Sequence, residues 1–210
     1  MIGTTVIEDG DIIVSCFSKA FHDHDIHIPP NIINSIRGKN KKEAIEEILT
    51  HTNNAPDRLQ GIFDSFRANI LNNIDRFSEN PDLSDLLRFL KFKSIKVGIG
   101  TGLPGDIFES IAMHLGWSHD LFDYAGNSDT VRKGRPDPEM ILDMLRTLDL
   151  PPSDLLKVGD TVADIREGKN AGVRTVALLS GTALPHLLRA EQPSFVIGRL
   201  AGLRDIIAGE

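Results

Sequence analysis

The sequence predicts an α/β fold, a parallel sheet with helices on both faces, preceded or interrupted by an all-helical segment. Three observations predict it. Beyond residue 95, short apolar runs alternate with amphipathic stretches, the mark of strand–helix–strand units. Before residue 95 the apolar spacing is almost wholly helical. The chain has 210 residues, long for one compact domain and short for two, which fits one domain carrying an insertion.

The elements follow in order. Ile12, Ile13, Phe17, Ala20 and Phe21 recur at helical spacing, as do Ile45, Ile48 and Leu49. Pro29-Pro30 and Gly38 punctuate this half. From Asp57 to Phe77 a longer amphipathic stretch places Leu59, Ile62, Phe63, Phe66, Ile70, Ile74 and Phe77 on one face. Leu83–Phe92 reads as a helix capped by Ser84. Strands are expected at Ile95–Ile99, Leu155–Val158, Val173–Leu179 and Phe195–Ile197, and helices at Asp106–Leu115, Pro138–Leu148, Ala163–Ala171 and Pro185–Ala190.

Composition narrows the function. Hydrophobic residues make up 40% and charged residues 25%, an ordinary globular balance. Thirty acidic against 23 basic residues give a net charge of −7, which argues against a nucleic-acid partner but not against a small anionic one. The lone Cys16 forms no internal disulfide, in keeping with a reducing cytoplasm. No apolar run approaches the roughly 18 residues of a membrane span, and the acidic N-terminus does not read as a signal peptide. A cytoplasmic protein without a membrane partner, monomer or homodimer, is expected.

In a doubly wound sheet the chemistry lies just past the carboxyl ends of the strands. There the sequence places Gly100-Thr101-Gly102, Lys133-Gly134-Arg135-Pro136, Gly159-Asp160-Thr161-Val162-Ala163-Asp164 and Ser180-Gly181. Singly, Thr101 and Asp164 read as helix caps and Asp160 as a turn residue. Together at one rim they form a phosphoryl site: a hydroxyl at a helix N-terminus, an Arg fork, and carboxylates suited to Mg²⁺. The glycines do not complete G-x-G-x-x-G, because Leu103 takes the last position; no P-loop and no G-x-S-x-G elbow is present.

These residues closely resemble the haloacid dehalogenase superfamily of aspartate-nucleophile phosphohydrolases, and within it the phosphonatase-like branch. Thr101 matches the second motif, Gly134-Arg135-Pro136-Asp137-Pro138 the third in its Arg form, and Gly159 to Asp164 the G-D-x-x-x-D of the fourth. The resemblance implies a Rossmann-like core over 1–11 and 93–210, a helical cap over 12–92, Mg²⁺ as cofactor and a small phosphorylated substrate. It implies catalytic roles for Thr101 and Arg135 and metal binding by Asp160 and the Ile2 carbonyl, with Asp164 behind them. Gly3, Thr4, Gly102 and Lys41 would contact substrate.

Met1-Ile2-Gly3-Thr4-Thr5-Val6 resembles the first motif beginning one residue late. The nucleophilic Asp would lie immediately before Met1, at the end of a central strand. Two readings fit: a chain shortened relative to the functional protein, or an inert remnant that binds without catalysing. The intact later motifs, and the buried surface a central strand contributes, favour the first. Ile2 stands where ordinary phosphatases of the family carry a second Asp as general acid, as in the phosphonatase branch. Gly38-Lys39-Asn40-Lys41 resembles the segment holding that branch's imine-forming Lys, but Ala44 replaces its His. The expectation is a basic loop at the active-site mouth and a phosphohydrolase, with phosphonoacetaldehyde hydrolysis and sugar-phosphate mutase chemistry as alternatives. His22, His24 and His27 read as a solvated helix end, since no third ligand accompanies them. Trp117 reads as packing.

Overall fold

The computed structural model describes residues 1–29, 32–33, 36–52 and 54–209. The turn expected at Pro29-Pro30 lies partly outside the described residues, since Pro30 is not among them. The order is β1 (Val6–Glu8), α1 (Ile12–His22), α2 (Lys41–His51), α3 (Leu59–Leu71), β2 (Phe77–Glu79), α4 (Leu83–Phe92), β3 (Gly98–Gly100), α5 (Gly105–His114) and β4 (Tyr124–Gly126). It continues with α6 (Glu139–Leu148), β5 (Leu156–Gly159), α7 (Val162–Asn170), β6 (Arg174–Leu178), α8 (Pro185–Ala190), β7 (Phe195–Ile197) and α9 (Leu203–Ala208).

The fold is α/β, with a helical insertion ahead of most of the sheet. The parallel sheet, however, is in two pieces. β3 pairs only with β4, Ile99 facing Ala125, whereas β5, β6 and β7 form a separate three-stranded sheet. The facing edges of β3 and β5 are unpaired with each other. Between them lies a cavity of about 330 Å³, lined by apolar side chains that include Leu86, Leu90, Ile99, Met144, Leu156 and Val158.

The helical insertion buries one stripe of each helix. Ile13, Phe17, Ala20 and Phe21 of α1 pack on Ile62, Phe66 and Ile70 of α3, with the Phe17 and Phe66 rings edge to face at 5.2 Å. Its two ends are joined by a ribbon the sequence reading missed: β1 and β2 pair antiparallel, Val6 against Glu79 and Glu8 against Phe77. Three-residue strands carry too little periodicity to be read. The amphipathic stretch 57–77 therefore ends as a helix at Leu71 and passes through a short 3₁₀ turn into β2.

Two further differences from the sequence reading stand out. Helix α4, placed by its pattern within the 12–92 insertion, packs instead with the α/β part: Leu83, Leu86 and Leu90 join Val176, Leu178, Ile197 and Leu203. Ser84 is not its cap. Asp82 precedes the helix, and the Ser84 hydroxyl donates to Glu79 Oε1 at 2.6 Å. β4 escaped notice because Tyr124-Ala125-Gly126 has no apolar run. Among the described residues no helix is long and apolar enough to cross a membrane.

Candidate active site

The loops leaving β3 and β5 and the one before α6 meet at one rim. The insertion closes over it. A cavity of about 50 Å³ there is lined by Ile2, Lys41, Thr101, Gly102, Arg135 and Asp164, together with Met1, Arg37 and Thr182 among others. Six residues proposed from sequence thus share one small space. Gly38 makes the approach possible: its φ is +82°, and a Cβ there would lie 2.5 Å from Thr161 Oγ1. Similarly, a Cβ on Gly102 would lie 2.6 Å from the Lys39 carbonyl oxygen. Glu43 of α2 reaches the other wall, accepting from the Gly134 amide at 2.8 Å.

Thr101 closes β3, its amide donating to the Gly126 carbonyl and its hydroxyl accepting from the Leu103 amide at 3.2 Å. It is buried, and its hydroxyl proton remains to donate to a phosphoryl oxygen. The Gly105 amide at the start of α5 already donates to Asp129 Oδ2 at 2.8 Å, so Thr101 is the anion donor on this side.

Asp160 does not line this cavity; it is 1% exposed and bonded to Thr182, which does. Its Oδ1 accepts from Thr4 Oγ1 at 2.7 Å; its Oδ2 accepts from the Thr182 amide and hydroxyl at 2.9 and 2.8 Å. Gly3 packs directly on the carboxylate, with φ +84° and a Cβ position only 2.0 Å from Oδ2. Thr4 therefore serves Asp160 and does not line the small cavity, and Gly3 makes room for the carboxylate. Burial raises the Asp160 pKa, and the neighbouring Asp164 adds to the rise.

Asp164 is spoken for. Its Oδ2 accepts from the Thr161 amide and hydroxyl, in a capping box at the start of α7. Its Oδ1 lies 3.2 Å from both Arg135 Nη1 and Lys157 Nζ. Burial opposes its charge, but Arg135 and Lys157 hold the carboxyl well below the usual range.

Lys41 is not in a basic loop at the mouth. It is the first residue of α2, 6% exposed, with its ammonium donating to the Lys39 carbonyl at 3.0 Å. Burial, then Arg135 and Arg37, lowers its pKa from 10.5 to about 8. Sequence reasoning missed Arg37, Thr182, Lys157 and Glu167. Thr182 was nearest to discovery, one residue past the Ser180-Gly181 turn. His24 points away from this site, its Nε2 3.2 Å from Ser65 Oγ.

For Mg²⁺ the donor chemistry fits: all oxygen, with one lone pair of Asp160 Oδ1 still open beside its single hydrogen bond, and Ile2, a residue with a backbone carbonyl to offer, lining the cavity. Among the described residues no group of three or more His, Cys, Asp or Glu side chains could hold a metal ion. Any such ion rests on Asp160, backbone and water.

The model of the haloacid dehalogenase-like hydrolase family matches residues 3–178. The chain belongs to this family. Among haloacid dehalogenase-like relatives, the phosphonoacetaldehyde hydrolase of Latilactobacillus sakei is 28% identical over 202 residues, covering 89% of this chain and 76% of that one. The pyrophosphatase PpaX of Bacillus cereus is 32% identical over 133 residues, covering 62% and 60%. A solved phosphonoacetaldehyde hydrolase-like protein from Oleispira antarctica shares the fold with a TM-score of 0.86 at 21% identity, over 99% of this chain and 88% of that one. The chain is thus an enzyme of the haloacid dehalogenase type.

Proposed function

We propose that this chain works as a Mg²⁺-dependent phosphohydrolase on small phosphorylated metabolites in the cytoplasm. The nucleophile is an aspartate at the residue preceding Met1, carried on a strand that fills the slot between β3 and β5. The slot is the observation that carries this reading. It is mainly apolar, with Lys157 and Glu167 on its lining, about 330 Å³, and flanked by two parallel edges that a third parallel strand would join. The Met1 nitrogen sits at its top, 3.5 Å from the Gly100 carbonyl oxygen, at the rim shared by Thr101 and Arg135. An ammonium there is penalised by burial and by Arg135, which bring its pKa down from 8.0 to about 6; a peptide N–H bears no such penalty. Among the described residues the only carboxylate lining the small cavity is Asp164, already paired. A carboxylate delivered by the slot strand is what the site lacks.

In this reading the aspartate attacks phosphorus in line, the ester oxygen leaves, and water hydrolyses the aspartyl-phosphate. The Thr101 hydroxyl donates to one phosphoryl oxygen, and Arg135 opposes the charge on the others. Asp160 and the Ile2 carbonyl would hold Mg²⁺, which when bound draws charge from the phosphoryl group. Ile2 supplies no proton to the leaving group; of the cavity's cations, Lys41, with its pKa lowered to about 8, is the one that can give up a proton near neutral pH.

The test compares the chain with one extended upstream by an apolar strand ending in Asp, on a panel of phosphate esters. The extended protein should melt higher and release phosphate with Mg²⁺. Equal, substantial activity in the unextended chain would refute the nucleophile assignment. Inactivity of a folded extended protein would favour an inert phosphate-binding fold.

A second reading, phosphonoacetaldehyde hydrolysis, is favoured by Lys41: a buried amine of lowered pKa is suited to imine formation with a carbonyl substrate. Ala44, on the same turn of α2, supplies no proton shuttle, and phosphate-ester hydrolysis is preferred.

A further inference from the structure

Behind the rim lies a ring of four charges, three of them buried and the fourth, Lys157, partly exposed. Arg135 Nη1 and Lys157 Nζ each stand 3.2 Å from Asp164 Oδ1; Arg135 Nε and Lys157 Nζ stand 2.9 and 2.7 Å from Glu167 Oε2. Glu167, on α7, is 0% exposed, and Arg135 is 6% exposed. Leaving a carboxylate in such a place costs several kcal/mol unless it is compensated. Neither Glu167 oxygen nor Arg135 Nε has a partner in hydrogen-bond geometry, so charge rather than directed bonding holds Glu167.

The four charges sum to zero, and removing Glu167 or Lys157 alone unbalances them. Without Glu167, two cations would share the single carboxylate of Asp164. Without Lys157, the two carboxylates would face one Arg. Burial works against the Arg135 charge, but Glu167 first and Asp164 second more than offset it. The guanidinium is a planar fork, and the ring sets carboxylate oxygens 2.9 Å from Nε and 3.2 Å from Nη1, two of its three nitrogens. The third, Nη2, lies on the side of β3, 4.0 Å from Met140 Sδ and 3.2 Å from where a Cβ on Gly100 would stand, next to Thr101. A Lys at this position would present one point charge and need no second carboxylate to set a plane.

We propose that Glu167, charge-balanced by Lys157, is a positioning residue that fixes the plane of Arg135 so that Nη2 meets the phosphoryl group. The phosphoryl group rests on the function proposed above; the ring is made of residues already in the chain.

Two readouts separate the two ideas. On the chain as it stands, hydrogen exchange at Arg135 Nε–H is followed by ¹H–¹⁵N NMR, with Arg135→Lys assigning the resonance. Glu167→Gln should speed exchange at least tenfold. So should the charge-neutral pair Lys157→Met with Glu167→Gln, which guards against a variant that fails to fold. In the strand-extended enzyme, the pair should lower kcat by roughly ten- to a hundredfold with a smaller change in KM. Adding Glu167→Gln to Arg135→Lys should cost nothing further. Unchanged exchange in both variants overturns the proposal, as do additive kcat losses of Arg135→Lys and Glu167→Gln. An inactive extended parent refutes the function instead and leaves the exchange measurement to decide this point.

Discussion

Lys41 pays for its place in the site with stability, and Lys41→Met makes that measurable. Its ammonium is almost wholly buried in the first turn of α2, with one hydrogen bond, to the Lys39 carbonyl, and two Arg side chains that disfavour its charge. Folding lowers its pKa from 10.5 to about 8. At about 1.4 kcal/mol per pH unit, holding the proton at neutral pH costs the fold about 3 kcal/mol. Met has a similar length and no charge. Its loss of the bond to Lys39 returns about 1 kcal/mol, leaving a net gain of about 2 kcal/mol, or about 4–8 °C in melting temperature for a chain of this size. The sign with pH follows from proton counts. Between about pH 8 and 10.5 the unfolded chain keeps a proton that folded Lys41 has released, so parent stability rises with pH there. The variant lacks that rise, and its advantage is full below pH 8 and shrinks as pH climbs toward 10. Melting curves of both proteins from pH 6.5 to 10 are the assay. A variant no more stable than the parent at pH 7, or an advantage independent of pH, would refute the reasoning. Because most substitutions at buried positions destabilise, a gain is a discriminating result.

Other consequences are as direct. Asp160→Asn in the strand-extended protein should weaken Mg²⁺ at least about tenfold, read from the Mg²⁺ concentration giving half-maximal phosphate release, because it replaces a charged donor by a neutral one. Chelation by EDTA should abolish that release and Mg²⁺ should restore it. Gly3→Ala should cost about 2 kcal/mol or more, seen as a lower melting temperature, since φ is +84° and the new methyl would overlap the Asp160 carboxylate. Borohydride with phosphonoacetaldehyde should leave Lys41 unmodified in a mass spectrum; a reduced adduct there would promote carbon–phosphorus cleavage to first place.

What the sequence disclosed depends on whether a residue acts with its chain neighbours or across the fold. β7 and α8 fall where their patterns put them, Phe195–Ile197 and Pro185–Ala190, because each is an apolar run or amphipathic turn bounded by breakers. Thr101, Arg135 and Asp164 were legible because strand ends in a parallel sheet face one rim, so position after a strand becomes position in space. Lys157 and Glu167 were not. Lys157 sits inside a strand and Glu167 inside a helix, and only the packing of α7 on β5 brings them together. Thr4 had the right neighbourhood but another duty, since its hydroxyl is spent on Asp160. Lys41 was misplaced because a run of basic residues reads as solvated surface, and nothing local reveals that Asn40 caps a helix that turns the next side chain inward.

The charge of the whole chain and that of its site have opposite signs, and distance decides between them. A net charge of −7 spread over the surface is screened beyond about 8 Å at physiological salt. Within that range, the small cavity is lined by Arg37, Lys41 and Arg135 against Asp164 alone. Arg37 is largely answered by Glu8 and Asp11, at 3.4 and 2.8 Å, and Asp164 by Arg135 and Lys157. Among the described residues no carboxylate pairs with Lys41, and with Thr101 it gives the cavity a local preference for anions. An anionic substrate therefore gains from entering only once it is inside. That favours small, compact ligands, in keeping with a space of about 50 Å³. Binding of inorganic phosphate to the strand-extended protein should accordingly weaken little between 50 and 200 mM salt, because its attracting charges are buried rather than exposed.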